Sequence, residues 1–511
     1  MKSKLFLTVI AAVLYIGTAN AQITLATQRA LLAENEKTIL DHRISKYTTF
    51  TIDTKGLTDL LNSNRGKGKF RLRINDELDW TIDLELNDLR APNYQATYTT
   101  DDGEFEVKEP FTVNTFKGRT SEGQPVRFTI DEKTFFGVIL GGNYHYVIRP
   151  ANDFTNNRDD KSFIVYKSWD LIDDDSSTDD VHDAMEIANE EFAEWNDSYL
   201  YSSYGICSYV IRLAIEADYE FHQNKGGSVN SPEGPTISSM LSIINLIEGV
   251  YESTFGIKFS VTYQHVFTTA SDPYTSNNSI QLLNELRTHW MKNNSNKVRD
   301  IVHLFTGKIL TSNDPEYTAN GQAYEDPFGI GNSSGYSLSR DRPDMYQSTA
   351  HEIGHNLTAV HPSYSTCLCD NPTASLMCQK DKSPNLWFCT QSFNEISSYI
   401  SNLIGICGPH TICYGSTASV TASSAPSGFT WNKSSNLNLS GSGTSVIISA
   451  ISNVNEAAWV SINSGGQELV RLNIRIGGPV ISSIERPSSI PAYQTIRFTA
   501  KYDYLSGVGT S

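Results

Sequence analysis

The sequence predicts a multidomain protein: a β-rich N-terminal domain, a central α/β domain on a mixed, mainly parallel sheet with helices, and a C-terminal β-sandwich. Three observations carry this expectation. At 511 residues the chain is too long for one ordinary core. Its composition changes character near residues 169 and 408. Between those points, and nowhere else, strand-like runs alternate with long helical patterns, the signature of a parallel sheet with crossover helices.

Lys2 and Lys4 precede an apolar stretch, Leu5 to Ile16, followed by Ala19-Asn20-Ala21. A basic start, a short apolar run and a small-x-small site predict a signal peptide over residues 1–21, with Gln22 as the mature start and export from the cell. The run is short for a membrane span, and no later segment approaches 18 consecutive apolar residues, so no membrane insertion is expected. Residues 22–168 carry short β runs between turn residues, among them Phe70–Ile74, Phe111–Val113, Val126–Ile130 and Phe135–Leu140. Residues 169–204 are acidic and read as a linker or activation region. A calcium loop there lacks the EF-hand spacing and glycine, and calcium stays an open question.

The central domain, residues 205–407, opens with an apolar strand at Tyr209–Asp218. A helical pattern across Ile237–Val250, a strand at Ile257–Tyr263, a helix over 279–293 and a strand at Asp300–Phe305 follow. Residues 408–476 turn to Ser, Gly, Thr and Val with strand-like runs at Ala418–Ala422, Val446–Ala450 and Ala458–Ile462, a small sandwich. A further β module, holding too few strands to close, is expected from 477 to 511.

The formal net charge of −17, with no long Lys/Arg cluster, repels phosphate backbones and anionic membranes and excludes nucleic acid as a partner. None of the seven cysteines lies between residues 22 and 206. Five crowd the stretch 367–407, with Cys207 before and Cys413 after, and an odd count leaves one thiol unpaired or paired outside the chain. Cys367 and Cys369 could ligate a metal or form disulfides; the exported setting favours disulfides.

The chemistry sits at residues 351–361, His-Glu-Ile-Gly-His-Asn-Leu-Thr-Ala-Val-His. On a helix, His351 and His355 lie one turn apart on one face and can reach one ion. Glu352 stands beside the first of them, placed to take a proton from water held on the metal. A third ligand at His361 requires the helix to stop and the chain to turn back. In a chain with 11 histidines this spacing arises by chance roughly three times in ten thousand. His303, in an apolar strand, reads instead as a core residue.

The stretch resembles the metzincin signature, and Thr349–Leu357 resembles its reprolysin (adamalysin) branch. Ser375-Leu376-Met377 is similar to that family's Met-turn, and Asp300–Gly307 to its edge-strand region. The resemblance implies one catalytic Zn2+ held by His351, His355 and His361, with Glu352 as general base and Met377 as the structural methionine beneath. It further implies disulfides Cys367–Cys389, Cys369–Cys378 and Cys207–Cys407. Two positions depart from the pattern. Thr358 stands where the family carries the glycine of the turn, and Pro362 where reprolysins carry Asp.

Residues 22 to about 200 resemble the reprolysin propeptide at Phe116-Lys-Gly-Arg and Tyr146-Val-Ile-Arg-Pro. The resemblance thus implies a secreted zinc metalloendopeptidase acting on protein or peptide substrates and made as a zymogen with its own propeptide as inhibitor. With no cysteine in the propeptide, a cysteine on the zinc cannot be the switch; a carboxylate or steric cover is expected. No Lys or Arg lies between Lys167 and Arg212, so trypsin-like activation inside the linker is excluded. Two other readings stand beside the enzyme: a binder that has lost turnover through Thr358 and Pro362, and an adhesin whose C-terminal modules, similar to Ig-like or PKD-like repeats, could hold it at the cell surface.

Overall fold

A computed structural model describes residues 23–25, 27–107, 112–141, 144–155, 161–172, 206–228, 235–312, 318–324, 334–362, 367, 369, 374–378, 385–453, 455–477, 480–485 and 499–503. The expected signal peptide, most of the acidic linker and the first residue of the run Phe111–Val113 lie outside them; Thr112 and Val113 form no strand.

The N-terminal strands build one ten-stranded sheet, from Ile23–Leu25 at one end to Thr27–Arg29 at the other. Apart from Ile23–Leu25, which runs parallel to Gly68–Arg73, its neighbours are antiparallel. Alternation along each strand divides the side chains between two cores. In Phe163–Lys167, Phe163 and Val165 join Phe50, Phe70, Phe128 and Phe135 under one face. Ile164 and Tyr166 point the other way and enter the core of the central domain.

That domain is organised by the strand Ile206–Ala217. It runs parallel to Ile257–Phe267 on one side, while Leu213–Ala217 pairs in parallel with Ile301–Thr306 on the other. Tyr336–Arg340 adds in parallel to Ile301–Thr306, and Gly321–Ala323 closes that edge antiparallel. Leu213, Ile215, Ile301 and Phe305 face the helices Pro235–Phe255 and Met345–Asn356. Ala214, Val302 and Leu304 face the helix Ser279–Asn293 through Leu282, Leu286 and Trp290. The sheet is therefore covered on both sides, and its strands are largely buried, as parallel strands are.

One expectation is corrected. Ile301–Thr306 is an interior strand, buried along its whole length, and the edge is Gly321–Ala323. The reason is chemical: a continuous apolar run suits a strand buried on both faces, and a short, half-buried Gly-Gln-Ala suits an edge.

Ile404–Gly408 pairs antiparallel with Ile206–Val210 and also with Thr417–Ser423, so the central sheet continues without a break into the C-terminal module. A second sheet, Thr411–Ile412, Gln467–Ile476, Glu456–Ser464 and Thr430–Lys433, completes it. Between the two sheets Val420, Ile448, Val460 and Ile474 share a core that also takes Val210 from the central strand. Further on, Val480–Glu485 and Thr499–Asp503 pair antiparallel.

Disulfides join Cys207 to Cys407, Cys367 to Cys389 and Cys369 to Cys378, while Cys413 is free and exposed. Among the described residues no helix is long and apolar enough to cross a membrane.

Gly256 links the long helix to the next strand at φ +71°, and a Cβ there would stand 2.3 Å from the carbonyl oxygen of Cys207. Gly256→Ala meets both a left-handed backbone and a backbone clash. Its expected cost is about 1–3 kcal/mol, read as a lower urea midpoint.

Candidate metal centre

The helix Met345–Asn356 is fixed from both sides before any site chemistry is considered. Tyr251 of the long helix donates its hydroxyl proton to the Ala350 carbonyl at 2.7 Å. Asn356 Nδ2 donates to the carbonyls of Ser334 and Tyr336 at 3.2 and 3.1 Å, tying the helix end to the sheet. Gly354 makes close packing possible, because a Cβ there would lie 2.5 Å from Met377 Sδ. Met377, fully buried, thus sits against the turn of helix that separates His351 from His355.

The helix ends in a Schellman turn. Thr358 N–H donates to His355 O and Ala359 N–H to Gly354 O, both at 3.0 Å, and the residue between helix and exit takes a positive φ. That residue is Thr358, at φ +75°. A β-branched side chain in this region costs on the order of 1–3 kcal/mol. Glu395, on the helix Thr390–Tyr399, offsets it twice. Its carbonyl accepts the Thr358 hydroxyl at 3.3 Å, and its carboxylate accepts Val360 N–H at 3.1 Å. Gln391 Nε2 holds the other carboxylate oxygen at 3.0 Å. Pro362, where an Asp was expected from the family pattern, is buried.

The turn returns His361 to the two helical imidazoles. The three Nε2 atoms form a triangle with every side 3.0 Å. His351 Nδ1–H donates to Leu376 O at 2.6 Å and His355 Nδ1–H to Ala359 O at 2.7 Å. Both protons therefore sit on Nδ1, and both Nε2 atoms present a lone pair to the centre. Protonation cannot relieve that crowding. Burial first, then the neighbouring His361, pushes His351 down to about 4. Burial first, then His351 and His361, pushes His355 down to about 2. Two neutral imidazoles with lone pairs turned inward, a third Nε2 beside them and a point about 2 Å from all three fit a zinc ion with nitrogen ligands. Among the described residues this is the one His/Cys/Asp/Glu group close enough to share an ion.

Glu352, the residue after His351, is 7% exposed and lies against the edge strand. A Cβ on Gly321 would stand 2.6 Å from Glu352 Oε1, so the strand comes as near to the carboxylate as a backbone can. His303 is fully buried, with Nδ1 2.8 Å from Ser337 Oγ, and takes no part. Sequence reasoning missed Glu395, Gly321 and Gly354. A threonine in the glycine position signals that the turn needs outside support, but nothing in the spacing points to Glu395 as its source.

Residues 208–400 match the family model described as Metallo-peptidase family M12 (Reprolysin_5), somewhat under half of the chain, and the match supports a metallopeptidase. No curated protein matches. Among solved structures, a chaperone–substrate complex is 12% identical at TM-score 0.28, over 38% of this chain and 34% of that one, so this chain spans about a third of its length. Metalloproteinase-II from Bacteroides fragilis is 13% identical at TM-score 0.35, over 65% of this chain and 91% of that one. At such scores neither likeness bears on the reaction.

If Glu395 holds the strained turn, Glu395→Ala weakens zinc binding about tenfold. Adding Thr358→Gly then restores most of the affinity, since glycine takes that φ without strain. Competition titration against a chromophoric chelator measures both; an unchanged affinity in Glu395→Ala would show that the turn holds by itself.

Proposed function

We propose that the chain is a secreted zinc-dependent endopeptidase in which His351, His355 and His361 hold the ion and Glu352 is the general base. The observation that carries the reading is the triangle of three Nε2 atoms, with the carboxylate of the residue next to His351 buried against the edge strand. Zinc, when bound, supplies a Lewis acid and makes its water acidic enough to lose a proton near neutral pH. Glu352, within the same wall, accepts that proton and returns it to the leaving amine nitrogen. Gly321, with no side chain, lets an extended peptide lie along the edge strand close to that carboxylate.

Latency is part of the same proposal. No cysteine precedes Cys207, so no thiolate from the N-terminal module can sit on the metal. A carboxylate of the acidic segment 169–204, or its bulk across the cleft, serves instead, and zinc–cysteine coordination in the full-length protein would contradict this. The binder and adhesin readings have no observation in their favour: neither Thr358 nor Pro362 displaces a ligand from the triangle.

Metal content and casein cleavage by the cut, full-length protein, with and without chelator, test the proposal. One zinc per chain and chelator-sensitive cleavage are expected. Glu352→Ala should keep the zinc and lose on the order of 10²–10⁴ in kcat. A folded chain without zinc overturns the assignment. Gly321→Ala should also keep zinc while lowering kcat/KM on the order of tenfold, because the new methyl group displaces Glu352 by a few tenths of an ångström or more; an unaltered rate would mean that Glu352 can move freely.

A further inference from the structure

The N-terminal module is tied to the central domain in three ways. The first is a strand. Arg90–Thr100 leaves the ten-stranded sheet and lies parallel to Ile257–Phe267, with Gln95–Thr99 opposite Tyr263–Phe267, before turning back as Gly103–Glu106. Side chains reinforce the ladder. The Tyr94 hydroxyl donates to Gln264 Oε1 at 2.7 Å, and the Thr97 and Thr99 hydroxyls lie 2.6 and 3.1 Å from the two ring nitrogens of His265. Without this strand the domain would end on a long, unpaired edge, which natural sheets avoid.

The second tie is a set of buried charges. Arg127 pairs with Glu252 and lies 3.9 Å from Glu248, and the Arg127 and Glu248 side chains are only 5% and 3% exposed. Lys117 approaches Glu252 at 3.5 Å. Asn87 donates to Asn245 Oδ1 and Glu248 Oε1 at 2.9 and 2.8 Å, and Asn245 returns its own protons to the Phe116 and Phe128 carbonyls. Breaking such a pair leaves a carboxylate without its cation in a desolvated place. The third tie is apolar: Leu40, Val138, Val147 and Ile164 share one core with Ile244, Met345 and Met377. At its rim Arg149 donates to the Pro343 carbonyl, just ahead of the helix that carries His351.

From these contacts we infer that the N-terminal module is a permanent structural subunit, held non-covalently by the strand Arg90–Thr100 on the edge of Ile257–Phe267, and that cleavage within residues 173–205 does not release it. The inference goes beyond the proposed activity and holds whether or not the site hydrolyses peptides. No disulfide can do the holding, because the first cysteine after residue 22 is Cys207. The surface it covers is a strand edge plus an acidic helix face at Glu248 and Glu252. Its occupant supplies a parallel strand with two cations, Lys117 and Arg127.

A site-specific protease sequence inserted between Asp179 and Asp180, and cut after the full chain has folded, decides the matter. Size exclusion at about 0.15 M and about 1 M NaCl should give one peak with both pieces in equal amounts, since buried pairs are little screened. Hydrogen exchange across 257–267 should stay as slow as in the uncut chain. An N-terminal piece that elutes alone while the remainder stays folded overturns the inference. Should the insertion prevent folding, the natural chain gives the same decision on heating under hydrogen exchange. Loss of protection in 115–167 and 206–306 in one step supports it; a sheet at 115–167 that melts first, with 257–267 still protected, overturns it.

Discussion

The constraint on which the site depends is the close approach of three imidazoles, whose Nε2 atoms must be held 3.0 Å apart. Nothing in the triangle favours itself. His351 and His355 keep their protons on the far side, on Nδ1, and burial disfavours charging either ring. The surrounding structure therefore supplies the holding force. Two backbone carbonyls fix two rings, Met377 fills the space beneath, and a Schellman turn propped by Glu395 sets the third.

The rigidity needed for that comes from the strand Ile206–Ala217. Its first half pairs with Ile404–Gly408 and its second half with Ile301–Thr306, while Ile257–Phe267 runs along its whole other side. The strand is thus the shared member of the central sheet and the C-terminal module. Cys207 and Cys407 are paired residues in that antiparallel ladder, so their disulfide closes a ring across strands that are already bonded. Its effect is to prevent the two modules from parting when the chain breathes, since a loop that closes 200 residues along the chain is costly to form from the unfolded state.

Much of this was legible in the sequence because it is local. The helix period places His351 and His355 on one face, and alternating runs mark Pro125–Ile130, Phe135–Ile139 and the strands after residue 408. The three disulfides agree with those that the family resemblance implied. What was hidden is non-local. Arg90–Thr100 contains Pro92 and a run of polar residues, so its pattern announces neither a strand nor a destination, and its partner lies more than a hundred residues away. Glu395 supports a turn from another helix, and no periodicity connects the two. The edge strand was misassigned because three residues, Gly321 to Ala323, are too few for alternation to register, whereas the buried run at 301 is conspicuous.

The order of strands separates two jobs that a single N-terminal segment is expected to share. Arg90–Thr100, with its hairpin partner Gly103–Glu106, forms one side of the central sheet, and Gly321–Ala323, beside Glu352, forms the opposite edge. Across that sheet the N-terminal strand completes the fold while leaving the edge next to Glu352 unpaired among the described strands. Structural support and blockade of the cleft are therefore assigned to different stretches of chain. A cover over Glu352 has to come from residues that do not belong to the ten-stranded sheet or its hairpin, and the acidic segment between Lys167 and Cys207 is the stretch with the charge for it. Under the proposed latency, cutting that segment opens the site while the sheet that supports it stays whole.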